Sequence, residues 1–568
     1  MSLSKQTQKI TLKSWFKAGD PWVWLNAGGV AISVIAVVGL LILLAYNGLG
    51  HFWPSDVLEA DYRNANNAKV SVIAEHVETK SVLATQLRDA GLTIESQAVA
   101  VDRHLFKMGN RDVTGADFGW FLDERLSNLR YPSDIMVLER REWGNFYGRL
   151  LAVKQNDQVI VDATQDPEKA KAVFNDALSH TLELYEKIHT IEKHDIGDVN
   201  FELERLRLEE RRMELGQPGD TVLAQANTRI AAQRQQLNKQ YQVLKKQLDA
   251  LYLQVNEYSI VAQVSSGQER IISLAKVVRA TWPNQLSVFG KVLVYFDKLG
   301  EFLLDEPREA NTEGGIFPAI FGTVLMVLLM SIIVTPFGII AAVYLREYAK
   351  QGWLTRVVRI AVNNLAGVPS IVYGVFGLGF FVYFLGGHID QAFYEESLPA
   401  PTFGTPGLMW ASLTLALLTL PVVIVATEEG LARIPSMVRQ GSLALGATRA
   451  ETLWRVVLPM ATPAMMTGLI LAIARAAGEV APLMVVGVVK LAPSLPLNSH
   501  YPYLHLDQKF MHLGFHIYDV GFQSPNVEAA RPLVYATALL LVIVIALLNV
   551  LAVNIRNRLR EKYKALES

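Results

Sequence analysis

Six long runs of nearly uncharged residues, 28–46, 316–345, 360–385, 408–427, 460–489 and 533–553, punctuate the chain, and residues 50–310 carry most of its charge. Each run is long enough to cross a hydrocarbon layer roughly 30 Å thick, which takes about 20 apolar residues at 1.5 Å of rise per residue. The pattern predicts an all-α membrane core of six transmembrane helices, the first over 28–48. One large polar insertion, 50–310, follows it.

Inside the insertion the period changes. From about Lys69 to Asp162, short alternating runs such as 135–138 and 158–161 lie between turn residues, which predicts a small mixed α/β or β-rich unit over 69–162. Over 165–260 the composition shifts to Glu, Lys, Arg, Gln and Leu, with Pro and Gly confined to Pro167, Gly197, Gly216 and the turn Gln217-Pro218-Gly219-Asp220. Leu237, Tyr241, Leu244, Leu248, Leu251, Val255 and Tyr258 recur at spacings of four and three, the seam of a coiled coil. Leu178, Leu182, Tyr185, Ile196, Val199, Leu203, Leu206 and Met213 offer an interrupted partner register. An antiparallel coiled-coil hairpin is expected, projecting on the order of 60 Å.

The net charge of −1 conceals a sorted distribution. Lys5, Lys9, Lys13 and Lys17 precede the first span; Arg346, Lys350, Arg356 and Arg359 separate the second from the third. Arg433, Arg439, Arg449 and Arg455 lie between the fourth and fifth, and Arg556, Arg558, Arg560, Lys562 and Lys564 follow the sixth. The loop 386–409 has no Lys or Arg. By the positive-inside rule the N-terminal segment 1–27, the loop 428–459 and the tail 556–568 face the cytoplasm, and 50–310 faces outward. These cations need no nucleic acid to explain them. The first span reads as a retained anchor, because it lacks a small-residue exit and a short basic cap. With no cysteine in the chain, the outward domain uses no disulfides and the redox compartment stays undetermined.

Two ionisable side chains interrupt the apolar runs, Arg475 and Glu479, in Ala-Arg-Ala-Ala-Gly-Glu-Val-Ala-Pro. A charge near a bilayer centre costs roughly 2.5 to 3.5 kcal/mol on insertion scales, so two in one span require a reason. Their spacing of four predicts a pair on one helical face, with Arg475 about 24 Å along the helix from Pro459. Such a couple either locks two helices together or lines a polar path. A guanidinium offers planar, paired donors suited to tetrahedral oxyanions, and a nearby carboxylate holds it when no anion is bound. Glu479 also offers an acceptor to a protonated phosphate, which sulfate lacks. Pro336, Pro369, Pro421 and Pro482, with Gly338, Gly367, Gly374 and Gly478 beside them, predict broken helices. His512 and His516 have a helical metal-pair spacing but no third ligand nearby, so no metal site is expected. No phosphate-cradling Gly-Lys-Ser/Thr loop is present, so ATP binding by this chain is not expected.

The polar stretch Gln440–Pro459 between two apolar runs carries a recognisable spacing. Gly446, Val456, Leu458 and Pro459 match the coupling-loop signature of bacterial ABC importer permeases, with Gln440, Gly441 and Ser442 in place of its Glu-Ala-Ala. Together with the blocks 314–323, 364–374 and 474–483 and the tail through Asn549 and Arg556, the stretch resembles the PstA-type permease of the phosphate-specific ABC importer over roughly 312–560. That resemblance implies the MetI-like permease fold and inward phosphate transport across a bacterial inner membrane. It further implies a PstC-type second permease, two copies of a PstB-type ATPase holding ATP and Mg, and a periplasmic PstS-type phosphate-binding protein. No cofactor and no catalysis are expected on this chain. Residues 444–454 would form a short amphipathic helix that meets the ATPase. Two other readings stay open: a permease for another oxyanion such as sulfate or molybdate, and a membrane-anchored periplasmic scaffold or sensor.

Overall fold

In the computed structural model, residues 15–16, 19–64, 67–89, 91, 94, 97–524 and 527–563 are described. Lys5, Lys9, Lys13, Lys17 and Lys564 lie outside them. Six helices are long and apolar enough to cross a membrane: Asp20–Gly50, Phe317–Tyr348, Ser370–Phe393, Leu408–Arg433, Arg449–Ala477 and Ala530–Leu559. The first of these, α1, ends at Gly50, and the chain then enters two antiparallel sheets. One is ordered β4-β3-β2-β1-β5, from β1 (Val57–Arg63), β2 (Lys69–Leu83), β3 (Ala100–Lys107), β4 (Phe118–Leu122) and β5 (Leu126–Arg130). The other is ordered β10-β9-β7-β6-β11, from β6 (Ile135–Arg140), β7 (Phe146–Gln155), β9 (Tyr258–Gln263), β10 (Glu269–Ser273) and β11 (Val277–Thr281). A further strand, β8 (Gln158–Asp162), pairs with β7.

The unit expected over 69–162 is therefore β-rich, and its boundary needs correcting. Strand β1 precedes it, and β9–β11 are supplied from beyond the helical hairpin. Val153 pairs with Ile260 across β7 and β9, a contact between residues a hundred positions apart that no local period reveals.

The hairpin lies between β8 and β9. Its first arm is α2 (Pro167–Thr190), a π-helical turn at Ile191–Asp195, and α3 (Ile196–Gly216); its second is the single helix α4 (Asp220–Val255). On α4 the side chains of Leu237, Tyr241, Leu244, Leu248 and Leu251 are partly buried and Val255 is fully so, while most residues between them are exposed. Tyr258, placed at the end of that seam by spacing, belongs instead to β9. The interruption between Tyr185 and Ile196 has a physical cause, because a wide turn inserts one residue into the helical count and resets the face that meets α4. The hairpin also differs from expectation in direction. Rather than projecting freely, α3 lies against two loops of the membrane core, those carrying Glu396 and His500.

An amphipathic helix, α5 (Val288–Leu304), joins the sheets to the core. Its inner side carries Lys298, 2.7 Å from Glu139, and Glu301, 2.9 Å from Arg279. Arg279 also reaches Glu139 at 3.0 Å and Asp297 at 2.6 Å. Burial raises the Glu139 carboxyl, but Lys298 and Arg279 outweigh it and hold the group at about 2. Its other side leaves Phe289, Leu293, Phe296 and Leu304 exposed.

The core proper packs α6 (Phe317–Val343), the third span and α9 (Leu408–Arg433) around a cluster that includes Met326, Met330, Leu415 and Leu418. Between α6 and the third span lies α7 (Trp353–Leu365), a separate amphipathic helix, so the third span begins at α8 (Ser370–Phe376) rather than at residue 360. A short helix, α10 (Ser436–Ala444), follows α9; then come α11 (Leu458–Ala477), the short α12 (Leu483–Val486), α13 (Leu513–Tyr518) and α14 (Val527–Tyr563). The fifth span starts earlier and stops earlier than the apolar run 460–489, since the chain leaves the helix at Gly478.

Candidate functional site

The third and fifth spans carry the features that make a site. Pro369 stands at the N-cap of α8, and Pro482 at the N-cap of α12. Both are therefore at helix breaks rather than inside helices, as befits a residue without an N–H donor. Pro336 and Pro421 do lie inside α6 and α9. The two breaks meet: a Cβ added at Gly374 would fall 2.7 Å from the Cα of Pro482 and 2.8 Å from its oxygen. Only glycine lets α8 rest on that backbone, and Gly374→Ala must push the two segments apart. Tyr373, next to it, is buried and donates to the Leu365 carbonyl at 2.5 Å, fastening α8 to the end of α7.

Arg475 occupies the last turn of α11, where the unpaired carbonyls of a helix end favour a cation. Glu479 is not on that helix. It follows the C-cap Gly478, so the pair spans a helix end instead of sharing a helical face, and its separation of 3.6 Å is that of a loose contact. Because the helix stops at Ala477, Arg475 lies near its C-terminal end rather than within a longer span. Among the described residues, Arg475 meets no opposite charge but Glu479 and makes no hydrogen bond to the chain. Its side chain is 34% exposed and that of Glu479 20%. The couple is thus neither sealed nor saturated with donors and acceptors.

Its surroundings on α11 have a direction. Ala461, Gly468, Ala472, Ala476 and Ala477 are buried against the neighbouring helices, while Thr467, Leu471 and Gly478 are exposed. Arg475 stands on that exposed stripe, one turn beyond Leu471. The single chain leaves this side of the helix uncovered.

The second group of predicted residues forms the turn between α9 and α11. Gln440, Gly441 and Ser442 lie in α10, so the helix occupies 436–444 rather than the expected 444–454. Gly446 follows with φ of +90°, a left-handed value that explains the glycine; no atom lies within 4 Å of where its Cβ would be, so close approach does not. Thr448 and Glu451 then form a reciprocal capping box that starts the turn Arg449–Thr452. Val456 sits in a π-helical turn, Leu453–Val457, that runs directly into Leu458 and Pro459. Pro459 lacks a donor, and the wide turn before it accommodates that gap. The helix is continuous from Leu453 in this turn to Arg475.

Several groups that fix this turn were not singled out by spacing. Arg439 donates to Glu347 at 2.8 Å, to Ile434 O at 2.7 Å and to Leu431 O at 2.8 Å, clamping α10 to the ends of the second and fourth spans. Arg359 pairs with Glu428 at 2.6 Å. Ser442 meets Thr452 at 2.9 Å. The Thr-x-x-Glu spacing of the capping box is a local signal that could have found this turn; the cross-span ion pairs have no local signal. Met437, Leu445 and Trp454 remain 78%, 91% and 71% exposed on the same turn, an apolar surface of the kind that meets another protein. His512 and His516 are both buried: His512 caps α13 by accepting from the Gly514 amide at 3.1 Å, and His516 faces Thr537.

Residues 334–561 match the family described as the binding-protein-dependent transport system inner membrane component. The phosphate transport system permease protein PstA 1 of Mycobacterium tuberculosis is 35% identical over 244 residues, covering 43% of this chain and 71% of that protein. PstA of Yersinia pestis is 32% identical over 268 residues, covering 47% of this chain and 81% of that protein. The probable ABC transporter permease protein YqgH of Bacillus subtilis is 33% identical, and the match spans 34% of this chain and 59% of YqgH. Among solved structures, the inward-facing MetNI methionine ABC transporter aligns over 42% of this chain and 94% of its own at 20% identity, with a TM-score of 0.32. Through its matched core the chain belongs to the binding-protein-dependent transport system inner membrane component family.

Proposed function

We propose that this multi-pass inner-membrane protein is the permease subunit of an ATP-driven importer that carries inorganic phosphate inward. The observation that carries the reading is Arg475, a guanidinium on the uncovered stripe of α11 with one loose carboxylate neighbour and free donors. A tetrahedral oxyanion fits such a group through paired, charge-assisted hydrogen bonds. Glu479 at 3.6 Å competes with the anion for it and keeps the site weak enough to release its cargo. Relatives named as phosphate transport permeases support the choice of cargo.

In this reading a PstC-type permease covers the open side of α11, so that the path runs between two subunits. Two PstB-type ATPases, with ATP and Mg, sit under Met437, Leu445 and Trp454. Gln440, Gly441, Ser442, Gly446, Val456, Leu458 and Pro459 form the segment that passes their closure upward, because the helix runs unbroken from there to Arg475. Both termini and 428–459 face the cytoplasm; 50–310 faces the periplasm, where a PstS-type protein delivers phosphate. The chain itself holds no cofactor and performs no catalysis.

Copurification of an ATPase with this chain, followed by ATP hydrolysis in proteoliposomes with phosphate, sulfate or molybdate, tests the proposal. Stimulation by phosphate above the other two anions is expected. Equal or greater stimulation by sulfate or molybdate would assign the permease to another oxyanion, and no associated ATPase would return the chain to the scaffold reading.

A further inference from the structure

The α2–α4 hairpin is the largest part of the chain that the transport reading leaves without a task. It stands on sheet strands β8 and β9, yet its distal arm reaches the membrane core at two separate places. Near the start of α3, Asp198 lies 2.9 Å from His500 Nε2, and the Phe201 ring stacks on the His500 ring with centroids 4.2 Å apart. Near its end, Arg212 pairs with Glu396, its Nε donating to Oε1 at 3.1 Å. Fourteen residues separate Asp198 from Arg212, about 21 Å of rigid helix. The rod thus bridges the loop after the third span and the loop between α12 and α13.

Those two loops are extensions of the site. Glu396 follows the span that begins at α8, and His500 lies downstream of Glu479 and α12. Backbone bonds tie them to the break itself: Gly407 N to Val486 O at 2.9 Å, Met409 N to Leu506 O at 2.8 Å, and Val489 N to Phe510 O at 3.0 Å. The grip on each loop is built rather than incidental. Asn498 accepts from the His500 amide at 2.9 Å and meets His505 at 2.8 Å, which fixes the loop carrying the ring. Glu396 is buried, with 8% of its side chain exposed, and Arg212 covers it from solvent beside Phe393, Tyr394 and Phe403. Burial raises the Glu396 carboxyl, but the hydrogen bond from Arg212, a backbone hydrogen bond and the charge of Arg212 together hold it below its ordinary value.

From this geometry we propose that the hairpin is a strap across the outer mouth, holding the two loops together in this state and parting from both of them when the path opens outward. The inference rests on the permease reading. An exposed arginine, one histidine–aspartate pair and one ring stack are each weak fastenings, suited to release within a transport cycle. A permanent buttress would bury a broad apolar interface, whereas here the contacts are one aromatic ring and two charged side chains reaching from a charged helix.

Because the chain has no cysteine, introduced thiols report only on their own positions. In the assembled complex in proteoliposomes, Arg212→Cys with Glu396→Cys, and separately Phe201→Cys with His500→Cys, are bridged by a short, reductant-cleavable bifunctional methanethiosulfonate. Bridging is expected to abolish phosphate uptake, and cleavage to restore it. Bridged complexes that transport normally would show a static buttress, and failure to bridge would show that the hairpin does not lie over the mouth; either overturns the proposal. Spin labels at Arg211→Cys and Glu395→Cys give a readout independent of cargo. Trapping the ATPases with nucleotide should lengthen the distance between them, and an unchanged distance would overturn the strap even if phosphate is not the substrate.

Discussion

Arg475 matters because of what it does not do: it is charged, it is on a membrane helix, and it spends none of its donors on the chain. Arg475→Lys keeps the charge but loses the planar pair of donors, so it should retain a minority of phosphate uptake where Arg475→Ala retains none. Glu479→Gln removes the competitor for the guanidinium; tighter phosphate binding with slower turnover is expected, visible as lower KM and lower kcat for phosphate-stimulated ATP hydrolysis. Glu139 illustrates the opposite use of a buried charge. Its folded value of about 2 lies below the ordinary 4.5, so the stability it contributes is present above pH 4.5 and is lost as pH falls toward 2. At 1.36 kcal/mol per unit the full contribution is on the order of 3 kcal/mol. Protection of the β6 and α5 amides in the purified full chain, measured relative to their intrinsic exchange rate at each pH, should therefore fall from pH 4.5 downward. Glu139→Gln should show faster exchange at pH 7 and a flatter acid dependence; an unchanged profile would remove the Lys298–Glu139–Arg279 cluster as the support of this junction.

At the scale of elements, the proposed coupling rests on two features that would set how force and register are transmitted. Gly446 holds φ at +90°, and an L side chain there costs roughly 1–2 kcal/mol. Gly446→Ala should leave the protein in the membrane but loosen α10 from the turn Arg449–Thr452, lowering uptake per ATP hydrolysed. The π-helical turn at Ile191–Asp195 sets the rotation of α3. Deleting one residue within it should turn α3 by about 100° relative to α2 and abolish thiol bridging between positions 212 and 396. The seam of α4 was legible because Leu237 to Val255 obey a single local period. The π turn was not, since an added residue shows only as a gap in spacing, and β9–β11 were not, since their partners lie across the whole hairpin. The third span was misplaced by ten residues because α7 is apolar enough to resemble a span start; its Arg356, Arg359, Asn363 and Asn364 mark it as a surface helix.

Across the whole molecule, about 260 residues lie between the first span and the rest of the permease core, which contains the break at Gly478 and the turn at Gly446. The couple Arg475 and Glu479 was found by its cost in an apolar run, yet its openness was visible only once the buried face of α11 was known. The base of the hairpin is held by Leu184, Ile188, Leu248, Leu251 and Val255, so a truncation beyond that cluster should leave both sheets folded. Such a truncated chain should still assemble and take up phosphate, with ATP hydrolysis less dependent on the periplasmic partner. Loss of assembly would make the hairpin structural instead. The central claim, that Arg475 is reached by the cargo from the open side of α11, is tested most directly by phosphate uptake into proteoliposomes containing the complete complex with Arg475→Ala, normalised to assembled complex. Uptake at the level of vesicles without ATP, with the ATPases still bound, is predicted; uptake equal to that of the unaltered chain would contradict the account.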